Sequence, residues 1–100
     1  MAIMMSMRWA ELTPALYDQV RTAVGWLDRP PEGGHVHLAA FGDDGAQVTD
    51  VWESAAAFQA FVDTRLMPEV QRLGIPGMPQ IEFLPLHELF VPDPITVLTT

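Results

Sequence analysis

His35 and His37 stand two residues apart, His87 lies near the end of the chain, and there is no other histidine. An ordinary imidazole titrates near about 6.5, so each of the three can take up and return a proton at neutral pH. Arg8, beside Trp9, can hold a carboxylate or an enolate oxygen. There is no cysteine, which excludes thiol nucleophiles, disulfides and Cys-ligated zinc or iron–sulfur clusters. No serine has a histidine beside it in sequence, and Ser54, which follows Glu53, reads better as a helix cap. The chemistry these residues support is proton transfer, with His37 and His87 as acid–base groups and Arg8 as the holder of a developing anion.

His35 and His37 also fit a metal clamp, because alternate residues of a strand share a face. The third ligand would come from His87, Glu88 or Asp50. The plainer alternative is a surface His35 beside a loop and a His37 hydrogen-bonded inside the fold. Two ligands without a fixed third make a weak metal site, so no metal is expected. Neither a Gly-x-Gly-x-x-Gly run nor a P-loop is present, so no bound cofactor is expected either. Met4, Met5 and Met7 read as adaptable packing. Arg65, with Asp63 and Glu69 nearby, reads as a solvated helix ion pair, and Tyr17, the one phenol, as a residue at the rim of its helix face.

These groups must be held by elements, and the pattern supplies six. Ile3–Trp9 reads as a strand. Thr13-Pro14 reads as the cap and first position of a helix over residues 14–27, with Leu16, Val20, Ala23 and Leu27 as its apolar row. The run 28–34, rich in Pro and Gly, is a loop. His35–Phe41 and Gln47–Trp52 read as a hairpin about a type I′ turn at Asp44-Gly45. That turn sets His37 opposite Trp52, whereas a three-residue loop would slip the register and bring Val36 to Trp52. Ser54 caps a second helix whose apolar row is Phe58, Phe61, Val62, Leu66, Val70 and Leu73. Pro68 should kink or break it, and Gly74 should end it. Ile81–Val91 reads as a last strand, which Pro85 confines to an edge or a bulge.

The order β-α-β-β-α-β is the ferredoxin-like α+β arrangement, with a four-stranded antiparallel sheet and both helices on one face. One hundred residues make one such domain, residues 1–91, followed by an extended tail over 92–100. Ile95–Leu98 could pair with a partner subunit. The uncovered face of four apolar strands is larger than monomers usually expose, so a homodimer is expected. The net charge is −8, and the five cations are all arginine and scattered, which disfavours nucleic acid and anionic membranes. Hydrophobic residues make up 49% of the chain, yet no run reaches the roughly 18 apolar residues of a membrane span. Met1–Met7 reads as a strand rather than a signal peptide, so a cytoplasmic protein is expected.

Val51-Trp52-Glu53-Ser54, followed by Ala57-Phe58-Gln59-Ala60-Phe61, resembles the end of the third strand, the cap and the second helix of the dimeric α+β barrel superfamily, in its antibiotic biosynthesis monooxygenase-like branch. Pro85-Leu86-His87 is similar to the last strand of small uncharacterised relatives, and the likeness runs from about Met7 to Val91. It implies a dimer with an apolar pocket between sheet and helices. In that pocket Trp52, Phe58, Phe61, Val62 and Leu66 would bind a hydrophobic small molecule. Members that oxygenate without a cofactor are associated with Asn, Trp and Arg, and haem-degrading relatives with Asn, Trp and His. Trp52 matches the Trp. The chain has no Asn, and Phe61 stands where many relatives carry a His.

Two functions follow. One is a cofactor-independent enzyme, monooxygenase-like or a cyclase or isomerase, acting on an aromatic or polyketide-type molecule. The other is a non-catalytic dimeric binding or accessory protein.

Overall fold

The computed structural model describes residues 1–92 and 98. The elements are β1 (Ile3–Trp9), α1 (Pro14–Val24), β2 (Gly34–Gly42), β3 (Gly45–Trp52), α2 (Ala55–Phe61), a π turn (Val62–Leu66), α3 (Met67–Leu73) and β4 (Gln80–Pro85). The strands form one antiparallel sheet in the order β2-β3-β1-β4. This is the ferredoxin-like α+β fold that the residue pattern predicts. Met5, Met7 and Trp9 of β1 and Ala46, Val48 and Trp52 of β3 form the core beneath Phe58 and Val70 of the helical layer.

The caps behave as their side chains dictate. Thr13 Oγ1 accepts from Leu16 N at 3.2 Å, and Ser54 Oγ accepts from Ala57 N at 3.0 Å. α1 ends at Val24, three residues short of the expected end. Gly25 adopts φ +66 and donates its N–H to the Arg21 carbonyl, so Leu27 leaves the apolar row and is exposed. Pro68 disrupts the second helix upstream of itself. Five residues, Val62–Leu66, form a π turn that closes with Met67 N–H on the Val62 carbonyl. Gly74 then ends α3 in the left-handed conformation.

The hairpin differs from the type I′ turn expected at Asp44-Gly45. Gly42 pairs with Gly45 across Asp43 and Asp44. No described residue other than glycine has a positive φ, which rules out a type I′ turn. Gly45 carries the positive φ instead, at +96, and a Cβ there would lie 2.5–2.6 Å from Ala10 and Trp9 backbone atoms. The pairing is therefore displaced by two residues, and His37 faces Asp50 rather than Trp52. An even displacement keeps every side chain on its face, so His37, Asp50 and Trp52 all point toward the helices.

The last strand also differs from its expected span of 81–91. It runs only Gln80–Pro85, at an edge of the sheet, and residues 86–92 carry no regular structure. Of the expected tail strand at 95–98, all but Leu98 lies outside the described residues. The outer face of the sheet is mixed rather than uniformly apolar. One row across the strands is Leu84, Met4, Val51 and Val36, and another is Gln80, Arg8, Gln47 and Ala40.

Candidate functional site

A chain of four side chains crosses from α1 to the centre of the sheet. Tyr17 on α1 places its hydroxyl 2.6 Å from His37 Nε2. His37 Nδ1 lies 2.7 Å from Asp50 Oδ1. The second Asp50 oxygen accepts from the Trp52 indole N–H at 3.0 Å. A carboxylate can only accept, so Nδ1 carries the imidazole hydrogen. Nε2 is then left as a lone pair, and the Tyr17 O–H donates to it.

Burial grades along this chain. The Asp50 side chain is 5% exposed and that of His37 is 24% exposed. A buried carboxylate is tolerated only when its oxygens are partnered, and here both are. Burial pushes the Tyr17 phenol above its ordinary value. Arg21 opposes this, while the Asp50 and Asp18 charges add to it. Tyr17 therefore stays protonated at neutral pH and serves as donor to His37.

Aromatic rings wall the chain. Trp26, on the loop after α1, lies over His37 with ring centroids 4.9 Å apart. It meets Trp52 and Phe61 edge-on at 5.8 and 5.9 Å. Phe41 meets Tyr17 edge-on at 5.8 Å. Gly34 makes this possible, since a Cβ there would lie 3.3 Å from both the Trp26 and the Trp52 ring. β2 is an edge strand and Phe41 is partly exposed, so solvent reaches Tyr17 and His37 along that edge.

The other expected site residues lie elsewhere. Arg8 is exposed on the outer face, because the two-residue period of β1 turns it away from the buried Met7 and Trp9. His87 is exposed beyond β4. β4 and β2 are the opposite edges of the sheet, three strand spacings or about 14 Å apart. The structure thus brings neither residue to His37. Trp52 and Phe58 are fully packed core, and Phe61, Val62 and Leu66 are half-buried against it. His35 falls at the bulge of β2 and is exposed. Among the described residues, no three His, Asp or Glu side chains converge on a metal position. Arg65 does not form the expected ion pair. Its Nη2 donates to the Val24 carbonyl at 2.6 Å, and its guanidinium lies 5.4 Å from the Phe61 ring centre.

Sequence reasoning missed Trp26 and the partnership of Tyr17 with His37. It weighed Asp50 only as a metal ligand. One signal was present in each case. Asp50 is the only charge in the inward row Ala46, Val48, Asp50, Trp52, and a charge in an apolar row needs a partner. Tyr17 is in helical phase with Val20 and Val24, so it faces the sheet.

No family model matches the chain, and no curated protein matches it. Solved structures do. The chain is similar to SnoaB, a cofactor-independent oxygenase from Streptomyces nogalater, with 16% identity and a TM-score of 0.62 over 92% of this chain and 98% of that one. It is similar to a monooxygenase from the gene ActVA-Orf6 of Streptomyces coelicolor, solved with nanaomycin D, with 19% identity and a TM-score of 0.54 over 92% of each chain. It is also similar to NE2512, a protein of unknown function from Nitrosomonas europaea, with 20% identity and a TM-score of 0.63 over 92% of this chain and 93% of that one. The chain shares its fold with these structures, and at these identities the fold is what the likeness shows.

Proposed function

We propose that the protein is a cofactor-independent enzyme acting on an aromatic or polyketide-type small molecule, with His37 as its general base. One observation carries this reading. His37 is fixed in a single tautomer by Asp50, which is itself held by Trp52, and the three lie against an aromatic wall open along β2. A base oriented by a buried carboxylate accepts a proton without losing its geometry, and the resulting imidazolium lies against the Asp50 charge. An electron-rich phenol that loses a proton becomes reactive toward O₂ or toward intramolecular ring closure, so the same base serves an oxygenase, a cyclase or an isomerase. The SnoaB and ActVA-Orf6 structures favour the oxygenase arm by likeness of fold, an associational argument.

The test is oxygen uptake and product analysis with a hydroxyanthrone. Turnover above the buffer background is expected. His37→Ala should lower it at least tenfold while ligand affinity stays within a few-fold. An equal loss of affinity, or no effect on turnover, overturns the assignment. The second reading is a non-catalytic binding or accessory protein; ligand binding without turnover in the wild type would establish it. The reading includes a homodimer through the outer face, supported by the Leu84, Met4, Val51, Val36 row and by exposed Leu38. Sedimentation should give twice 11.1 kDa, and a monomer at micromolar concentration overturns that part.

A further inference from the structure

We propose that Tyr17 is the catalytic residue that touches the substrate, accepting the acidic O–H of a phenol or enol on its hydroxyl oxygen while passing its own proton to His37 Nε2. This rests on the reading of His37 as the base. The lone pair a base would use, on Nε2, is already taken by Tyr17 at 2.6 Å. A substrate hydroxyl cannot reach Nε2 while Tyr17 stays in place. The Tyr17 oxygen, by contrast, has no hydrogen-bond partner other than His37 among the described residues, and a phenol oxygen that donates once can still accept. The Tyr17 and His37 rings are within 5° of parallel, and Phe41 stands edge-on beside Tyr17 at the open edge of β2. A flat arene can lie against these rings with its hydroxyl directed at Tyr17.

The step balances as a double proton transfer. The substrate O–H breaks and a new O–H forms on Tyr17, while the original Tyr17 O–H breaks and an N–H forms on Nε2. The products are a substrate phenolate or enolate and a His37 imidazolium held against Asp50. Tyr17 is a neutral phenol before and after. Its burial, which disfavours tyrosinate, is therefore no obstacle to this relay and would block any mechanism that needed a standing tyrosinate. Asp18 and Arg21 on α1 and Asp50 on β3 are the charges acting on Tyr17; His37 on β2 is the titratable group it contacts.

The relay also narrows the substrate. An unactivated phenol, near pKa 10, is a weak acid and gives up its proton reluctantly. Phenols and enols acidified by a conjugated carbonyl come much closer to a match with an imidazole. The class is therefore a planar, carbonyl-conjugated hydroxyarene or enol.

The test uses alizarin, a hydroxyanthraquinone whose colour reports its ionisation, bound to the full chain and titrated with pH. Bound to the wild type, it should ionise about tenfold more readily than free dye, about one pH unit lower. Tyr17→Phe keeps the ring and its packing, so binding should stay within about threefold while the ionisation shift disappears. His37→Gln should lose the shift as well. A dye that binds Tyr17→Phe and ionises as in the wild type overturns the role of Tyr17 but leaves His37 as the base. A dye that ionises unchanged in both variants overturns His37 too, and a dye that does not bind the wild type overturns the aromatic-ligand reading from which both start.

Discussion

The two edges of the sheet carry the same kind of backbone and opposite kinds of side-chain environment. At the β2 edge, α1 and the Trp26 loop cover His37, and every polar atom of the inward chain Tyr17–His37–Asp50–Trp52 finds a partner. At the β4 edge the inward residues are Ile81 and Phe83, partly exposed, with Phe83 meeting Phe58 edge-on at 5.6 Å. One edge holds a buried charge by complete pairing, and the other holds apolar surface that water still reaches. Hydrogen bonds at the first edge specify one arrangement, because any misalignment strands a buried donor or acceptor. Contacts at the second edge are non-directional and tolerate change.

This contrast can be broken or sharpened by substitution. Trp52→Ala empties the centre of the core and frees one Asp50 oxygen, so denaturant unfolding should show a loss of about 3–5 kcal/mol. A loss under 1 kcal/mol would mean that the region collapses and is not specified by the indole. Asp50→Asn keeps the shape but offers one acceptor oxygen to two donors, His37 Nδ1–H and Trp52 Nε1–H. The expected cost is about 1–3 kcal/mol, and an equally stable variant would remove the distinction between the edges. Phe83→Ala at the other edge should cost only about 1 kcal/mol, since its ring is already partly in water.

The smallest effect is a slope. The folded value of Tyr17 lies above its ordinary 10.0, chiefly through burial. The folded state therefore keeps this proton longer than the unfolded chain does. The associated stability is complete below about pH 10 and is lost as pH rises beyond it, through the folded value. The chain has no lysine, no cysteine and one tyrosine, so little else titrates in that window. Unfolding measured at a series of alkaline pH values should show the decline, tyrosinate absorbance should follow it, and Tyr17→Phe should flatten it. A slope unchanged in Tyr17→Phe would place its origin elsewhere.

Local chemistry was legible in the sequence. The β1 span, the Thr13 and Ser54 caps, the break announced by Pro68 and the edge position announced by Pro85 each depend on neighbours in the chain, and each stands as read. Contacts across the fold were not. Leu27 continued the helical spacing and hid the end of α1 at Gly25. The Arg65 partner is a carbonyl 41 residues away, so nearby Asp63 and Glu69 suggested an ion pair that does not form. The hairpin register depended on whether glycine or aspartate would take the positive φ, and with it went the identity of the residue facing His37. Arg8 and His87 were plausible by type alone. The strand period and the order of strands put them on another face and at another edge.

The π turn at Val62–Leu66 has a consequence for inheritance. Such a turn is one residue more than an α-helix needs over the same path. Deleting that residue would restore regular helix and leave the flanking rows, Phe58 before it and Val70 after it, in phase. Elsewhere in the layer a single deletion would rotate all that follows by about 100°. Regular helix, however, would return the Pro68 ring to a clash with the carbonyl four residues back, worth about 3 kcal/mol. The extra residue and the proline are therefore a compensated pair. A lineage that loses one without the other should carry a destabilised domain, and a lineage that loses both should pass almost unmarked.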